Sequence, residues 1–460
     1  LVPTPSAQRN LASLSLAMTV ARPILLHGPA GCGKSLLARE VARLAAGQKP
    51  GKSGYSTSAS MLELHLDDQT DSKSLLGAYA CTDVPGEFAW RPGALTRAAA
   101  AGAWVLIEDL DRAPFEVLAA LGPLLEGRPL ALPGRKKPLI AAPGFRLFGT
   151  VTTVGPGKVV LGGAADFGAL WTHVTVEPLS VSETLEVARA RHPSLPSKVL
   201  TRLLGTMLLA TGSNHNGMGF ASSRSLSAGG GRQPGVRDFL KLCARVERLG
   251  LFDRNEEISG NDQAVRRSSP RATAEDDSDV EGGSASEAWF CSEAQALPMM
   301  LESLDVFAGH LTTKDAVSNA AEVLAGQWNI LPSKAVELAT TVRPELIQGD
   351  DYLRIGRITL PRDSQTTKAG SSTSFAPTSH ALRLMEKLAA SVEACEPILL
   401  VGETGCGKTA LVQRLAEGTG RQLIVQNLSL QTDGTDLLGG FRPVELRQLA
   451  QVCASVGWDT

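Results

Sequence analysis

The chain has 460 residues, 43% of them hydrophobic, with 45 Lys and Arg against 47 Asp and Glu. That length accommodates about two to four domains with apolar cores of their own, and the near balance of charge excludes a general pull toward nucleic acid, so no direct sequence-specific nucleic-acid binding is expected. Its apolar runs, such as ILLH and WVLIEDL, fall far short of the roughly 20 residues of a membrane span, and no basic-then-apolar leader opens it; both features point to an intracellular soluble protein with no membrane partner.

In chain order, the first informative stretch is PILLHGPAGCGKSLLAREVARLAAG, from Pro23 to Gly47. It opens with an apolar run that predicts a buried parallel strand. It continues through Gly28, Pro29, Ala30, Gly31, Cys32, Gly33, Lys34 and Ser35, the pattern G-x-x-x-x-G-K-[ST], and ends in a helix with Leu37, Val41 and Leu44 on one face and Gly47 as its stop. Glycines at that spacing let successive backbone N–H groups and a helix N-terminus wrap a polyphosphate. Lys34 then reaches the β and γ phosphates, and the Ser35 hydroxyl is placed for Mg²⁺. ATP and Mg²⁺ are therefore the expected cofactors.

A polar surface loop, GQKPGKSGYSTSAS, follows, then DDQTDSKSLLGAY from Asp67 to Tyr79. WVLIEDLDRAP, from Trp104, predicts a second buried strand ending in acids, the arrangement in which a P-loop ATPase holds Mg²⁺ and polarises water; this nominates Glu108 for the metal. After Pro178 the pattern turns helical, with Ser182 expected as an N-cap and Leu185 and Ala188 on one face. Residues 253–288, rich in Ser, Gly and charge, are too poor in large apolar groups to offset their chain entropy and are expected to be disordered. Helical patterns resume at PMMLESLDVFAGHL, and residues 346–378 read as a linker.

A second phosphate-loop pattern then appears at Gly402, Glu403, Thr404, Gly405, Cys406, Gly407, Lys408 and Thr409, again after an apolar run and before a helix, here leading to Gly418; Thr409 is the second hydroxyl nominated for Mg²⁺. SLQTDGTDLLGGF, from Ser429, repeats the Gln-Thr-Asp and Leu-Leu-Gly of the first copy in the same order, which indicates a duplicated domain whose second copy is cut short. The seven cysteines form no C-x-x-C pair and read as free thiols. A first residue that is not methionine suggests a piece of a longer protein.

These motifs resemble the AAA+ ATPases of the dynein-related branch, and within it most closely the midasin family. The resemblance rests on DDQTDSKSLLGAYACTDVPGEFAWRPGALTRA, WVLIEDLDRAPFEVL, DDYLRIGRITLPR and the block from Glu396 to Ala450. It implies an α/β fold, a P-loop AAA+ parallel sheet flanked by helices, with a helical small domain and a truncated second module. The implied boundaries are 1–179 for the first large domain, 180–252 and 289–345 for the small domain around the insertion, and 379–460 for the second module.

The family carries six such modules in one ring-forming chain and uses ATP to remove assembly factors from precursors of the large ribosomal subunit. Pre-ribosomal particles, their assembly factors and further AAA+ modules are therefore the implied partners, and the nucleus, in nucleolus and nucleoplasm, the implied location.

Carried over by residue, Glu108 and Asp109 match the family's Asp-Glu pair in swapped order, so the polarising position holds Asp109, one methylene short. Such a displacement can cost about 10²-fold in rate. Thr152 stands where the sensor Asn is usual, and no arginine lies between Arg146 and Arg189 to serve as a finger. In GVRDFLKLCARV, Arg237 matches the small-domain arginine aimed at the γ phosphate. The resemblance therefore implies a nucleotide binder with weak turnover in the first module; a nonhydrolysing nucleotide-dependent scaffold and a dynein-like motor fragment are the alternatives.

Overall fold

The computed structural model describes residues 1–47, 61–67, 70, 72–81, 87–132, 135, 137–153, 168–211, 234–252, 292–363, 375–429, 432 and 437. The loop at 48–60, Gln69, the insertion at 253–288, Gln431 and the chain's last residues lie outside that set. The chain divides into two compact units, Leu1–Val342 and Arg343–Thr460, each described by itself.

In the first unit, helix α1 (Pro5–Ala17) leads to strand β1 (Ile24–Gly28) and helix α2 (Lys34–Ala45). Strand β2 (Leu62–His65), the short helix α3 (Ser72–Leu76), an antiparallel hairpin of β3 (Gly77–Cys81) and β4 (Phe88–Pro92), and helix α4 (Ala94–Ala101) follow. Strand β5 (Trp104–Glu108), helix α5 (Phe115–Leu125), strand β6 (Arg146–Thr152) and strand β7 (Thr172–Thr175) complete the α/β part.

The five-stranded sheet has the order β2-β5-β6-β1-β7, with every pairing parallel. Its central strands are buried along nearly their whole length, as continuous apolar runs in a sheet covered on both faces should be. Alternation sorts the side chains: Ile24, Leu26, Leu106 and Phe148 pack toward α1 and α2, whereas Leu25, Val105, Ile107 and Val151 pack toward α4 and α5. Gly149 lets Leu25 and Trp171 close over β6, since a Cβ there would lie 2.9 Å from Leu25 Cδ1 and 3.2 Å from the Trp171 ring.

The register sets Gly28 beside Thr152, and β6 separates β1 from β5, so the phosphate loop and the acids after β5 emerge together at the carboxyl edge of the sheet. Among the described residues six helices follow: α6 (Val181–Arg191), α7 (Ser197–Thr211), α8 (Val236–Arg248), α9 (Glu293–Ala308), α10 (Lys314–Trp328) and α11 (Pro332–Thr340). They share one core that includes Ala188, Leu203, Phe239, Met300 and Trp328. The cap of α6 is Ser180, not Ser182. Ser180 stands three residues before Glu183, the capping-box spacing: its hydroxyl accepts the Glu183 N–H at 3.3 Å, and the Glu183 carboxylate accepts the Ser180 N–H at 2.8 Å.

In the second unit, three strands lie within the span read as a linker: β8 (Leu346–Gln348), β9 (Tyr352–Ile355) and β10 (Ile358–Pro361) form an antiparallel sheet of order β10-β9-β8. Leu353, Ile355, Ile358 and Leu360 alternate inward onto helices α12 (Ser379–Glu393) and α13 (Lys408–Thr419). The short strands sit between polar turns, so composition conceals a period-2 pattern that burial reveals. Helix α13 continues past Gly418 to Thr419 and stops at Gly420, which is left-handed at φ 70°. Gly418 serves packing instead: a Cβ on it would lie 2.8 Å from Leu353 Cδ2.

The expected strand before the second phosphate loop is not formed. Residues 397–401 have no strand assignment, and Leu399 and Val401 are 86% and 83% exposed. Their counterparts in β1 are hydrogen-bonded between β6 and β7, and no described residue of the second unit supplies such neighbours.

Candidate nucleotide site

The phosphate loop of the first unit takes its shape from local chemistry. Gly31 and Gly33 adopt left-handed backbone at φ 82° and 93°, a region costly for other residues, and Gly33 caps α2. Lys34, in the first turn of that helix, is buried and folds back over the loop, its Nζ donating to the carbonyls of Gly28 at 2.8 Å and Pro29 at 3.0 Å. Burial draws its pKa below the ordinary lysine range. The nearby carboxylates of Asp109 and Asp111 oppose that shift, and Arg237 adds to it. Burial likewise raises the Cys32 thiol, against the pull of Lys34.

Ala30 to Ser35 line a cavity of about 740 Å³ that Glu108, Asp109, Thr152 and Arg237 also line. The residues nominated for phosphate, metal, water and γ phosphate, which span some two hundred positions in sequence, are thus brought to one volume. Glu108, at the end of β5, has Oε2 3.2 Å from His65 Nδ1, while its buried Oε1 has no hydrogen-bond partner. Asp109 stands in left-handed backbone at φ 55° and donates its N–H to Thr150 Oγ1 at 3.2 Å. Thr152 closes β6 next to Gly28, where the Thr153 N–H donates to the Gly28 carbonyl at 3.1 Å. Arg237 enters from the first turn of α8.

Several wall residues carry no sequence signal of their own. Val2, Thr4 and Asn10 come from the first residues of the chain, Val176 and Leu179 from the stretch after β7, and Arg191 from the end of α6. The Asn10 side chain mimics a strand partner for Glu177, accepting its N–H and donating to its carbonyl at 3.0 Å each. The two lie 167 residues apart, and no local pattern announces such a pairing.

The second loop reproduces the first in miniature. Gly405 and Gly407 are left-handed at φ 85° and 88°, and Lys408 Nζ donates to the carbonyls of Gly402 at 2.8 Å and Glu403 at 2.6 Å. Cys406 Sγ lies 3.7 Å from the same ammonium, and Thr409 follows Lys408 in the first turn of α13. Thr404 is exposed, and no acid at a strand end accompanies the loop among the described residues.

The family described as AAA domain (dynein-related subfamily) matches residues 23–161 and 397–452, and the Midasin AAA lid domain family matches residues 183–330. Midasin of Dictyostelium discoideum is 32% identical across 98% of this chain, and midasin of Giardia intestinalis 25% identical across 93%. The chain spans 8% of the length of each. A solved structure of NtrX from Brucella abortus in complex with ADP aligns at a TM-score of 0.35 and 17% identity, over 73% of this chain and 68% of that one. With a dynein-related phosphate loop in both units and a midasin-type helical lid in the first, the chain belongs to the midasin family of AAA+ proteins.

Proposed function

We propose that the first unit binds ATP and that the chain serves, with further AAA+ modules, an ATPase that removes assembly factors from precursors of the large ribosomal subunit in the nucleus. The convergence of Lys34, Glu108, Asp109 and Arg237 on one cavity carries the nucleotide part of this reading. The loop supplies N–H groups and an ammonium for the β and γ phosphates, and Arg237 supplies a second cation from the lid. Ser35 and Glu108 are the residues that would hold magnesium; the buried, unpartnered Oε1 of Glu108 fits an oxygen-seeking cation. When bound, the ion supplies charge neutralisation across the β and γ phosphates. The ribosomal part rests on kinship with the midasins.

A second reading, a nucleotide-dependent scaffold with little turnover, is favoured by Asp109. Its short carboxylate begins from a left-handed backbone position and is set back from the place a glutamate would reach. Titration with ATP and steady-state hydrolysis of the purified chain against Lys34→Ala separate the two. Binding that requires Lys34 without turnover above background supports the scaffold. Turnover that Lys34→Ala abolishes supports an ATPase in its own right, and binding indifferent to Lys34 overturns both.

A further inference from the structure

In the part of the cavity wall not made by the loop and the acids, one buried carboxylate makes three hydrogen bonds. Glu183, in the first turn of α6, is buried. Its Oε1 accepts the Ser6 N–H at 2.5 Å, and its Oε2 accepts the Ser6 hydroxyl and the Ser180 N–H at 2.8 Å each. These donors favour the charged form and hold the Glu183 carboxyl down to about 2. A single side chain thus joins the start of α1 to the start of the lid, 177 residues away.

Neighbouring contacts tie the same two elements. Asn10 is bonded to the Glu177 backbone as described above, and Arg9 pairs with the Glu177 carboxylate at 3.2 Å while donating to Ser6 Oγ at 2.9 Å. The connection from β7 to α6 is therefore fastened to α1 along its length. Between the fastened elements, Val2 and Ala7 on one side and Val176, Leu179 and Val187 on the other give apolar surface to a wall that also carries Thr4, Asn10 and Arg191. The apolar part of that wall suits the flat, weakly polar nucleoside half of a ligand.

We infer that Glu183 is a positioning residue for the nucleoside half of the nucleotide: by clamping α1 to α6 it holds the apolar wall closed on base and ribose, while the loop grips the phosphates independently. This rests on the nucleotide-binding reading above. Glutamine at this position keeps the shape but accepts on only one of its two terminal atoms, so either Ser6 or Ser180 faces an amide N–H in place of an acceptor.

The test is calorimetric titration of the full 460-residue chain with magnesium ATP and, separately, with magnesium tripolyphosphate, for the wild type, Glu183→Gln and Ser6→Ala. Glu183→Gln is expected to weaken ATP about tenfold, the usual consequence of a buried donor left unpaired, and to leave tripolyphosphate within about twofold. Ser6→Ala keeps the cap on Ser180 and is expected to move the ratio of the two affinities in the same direction by a smaller factor. A parallel loss of both ligands, or unchanged ATP affinity, overturns the inference, since a merely structural role moves both together. If Glu183→Gln does not fold, Ser6→Ala decides alone. A wild type that binds both ligands equally tightly through Lys34 overturns this inference and leaves the phosphate site standing; one that binds neither overturns the nucleotide reading as well.

Discussion

At Gly28 space, not backbone conformation, demands glycine. A Cβ there would lie 2.7 Å from Cys32 Sγ and 2.8 Å from the carbonyl oxygen of Val176, and the second of these is backbone that cannot rotate away. Gly31 and Gly33 are the opposite case: nothing lies within 4 Å of a Cβ on either, and the constraint is their left-handed φ. Gly28→Ala is therefore expected to push the loop off the end of β7, weakening ATP at least about tenfold and costing about 1–3 kcal/mol of stability. Gly31→Ala should cost about 1–2 kcal/mol from backbone strain alone. Calorimetric titration and urea denaturation of both variants check this; equal effects on binding would show that the contact with Val176 is unimportant.

Elements owe their form to partners as much as to their own residues. The runs PILLHG and PILLVG differ in one residue, yet the first yields β1 and the second no strand, because a parallel strand has no hydrogen bonds of its own and borrows both edges from its neighbours. The loops and helices that follow are alike in both copies, since positive-φ glycines and helical hydrogen bonds are local. Within the lid, α8 and α9 are joined by a buried ion pair, Arg245 Nη1 to Glu302 Oε2 at 3.1 Å, with side chains only 6% and 3% exposed. Removing one partner of such a pair is costly, whereas replacing both with apolar groups is not. Arg245→Met is expected to lower the unfolding free energy by about 3 kcal/mol, and Arg245→Met with Glu302→Leu to regain most of it. Denaturant midpoints of the three proteins measure the difference, and a double variant weaker than the single would refute the assignment.

For the whole first unit, acid is the predictable enemy. His27, in β1, stacks on His173 in β7 with ring centroids 4.8 Å apart. His173 Nε2 donates to the Gly168 carbonyl at 2.7 Å, and its Nδ1 lies 2.5 Å from His27 Nε2. Burial first, then the neighbouring His173 and Lys34, pull the His27 pKa from 6.5 to about 4. Between those values the unfolded chain takes up the proton and the folded one does not, so stability falls as pH drops from 6.5 toward 4. Glu183 acts lower: its pKa is depressed from 4.5 to about 2, so its contribution is complete above 4.5 and is lost as pH falls toward 2. Thermal midpoints should fall between about pH 7 and about pH 4.5 in the wild type, and fall less in His27→Gln. An equal fall in the two proteins would remove His27 from the account.

What the sequence determined by itself is whatever local chemistry settles. Spacing of Gly, Lys and a hydroxyl specified both loops, and the acids at the end of β5 were legible because a strand end can place them only at the sheet edge. The Ser180 cap was equally local, and reading Ser182 instead overlooked the reciprocal bond to Glu183. Only the tertiary structure decided the rest. The strand order put Gly28, Thr152 and Glu108 on one edge, since parallel neighbours are chosen by packing and not by sequence proximity. Asn10, Ser6 and Glu183 became parts of one clamp through hydrogen bonds spanning 167 and 177 positions, and the apolar run at 397–401 remained without a strand. A hydrogen bond has no preference for near or distant partners, so a residue's role at such a site is determined by whatever the fold carries to it.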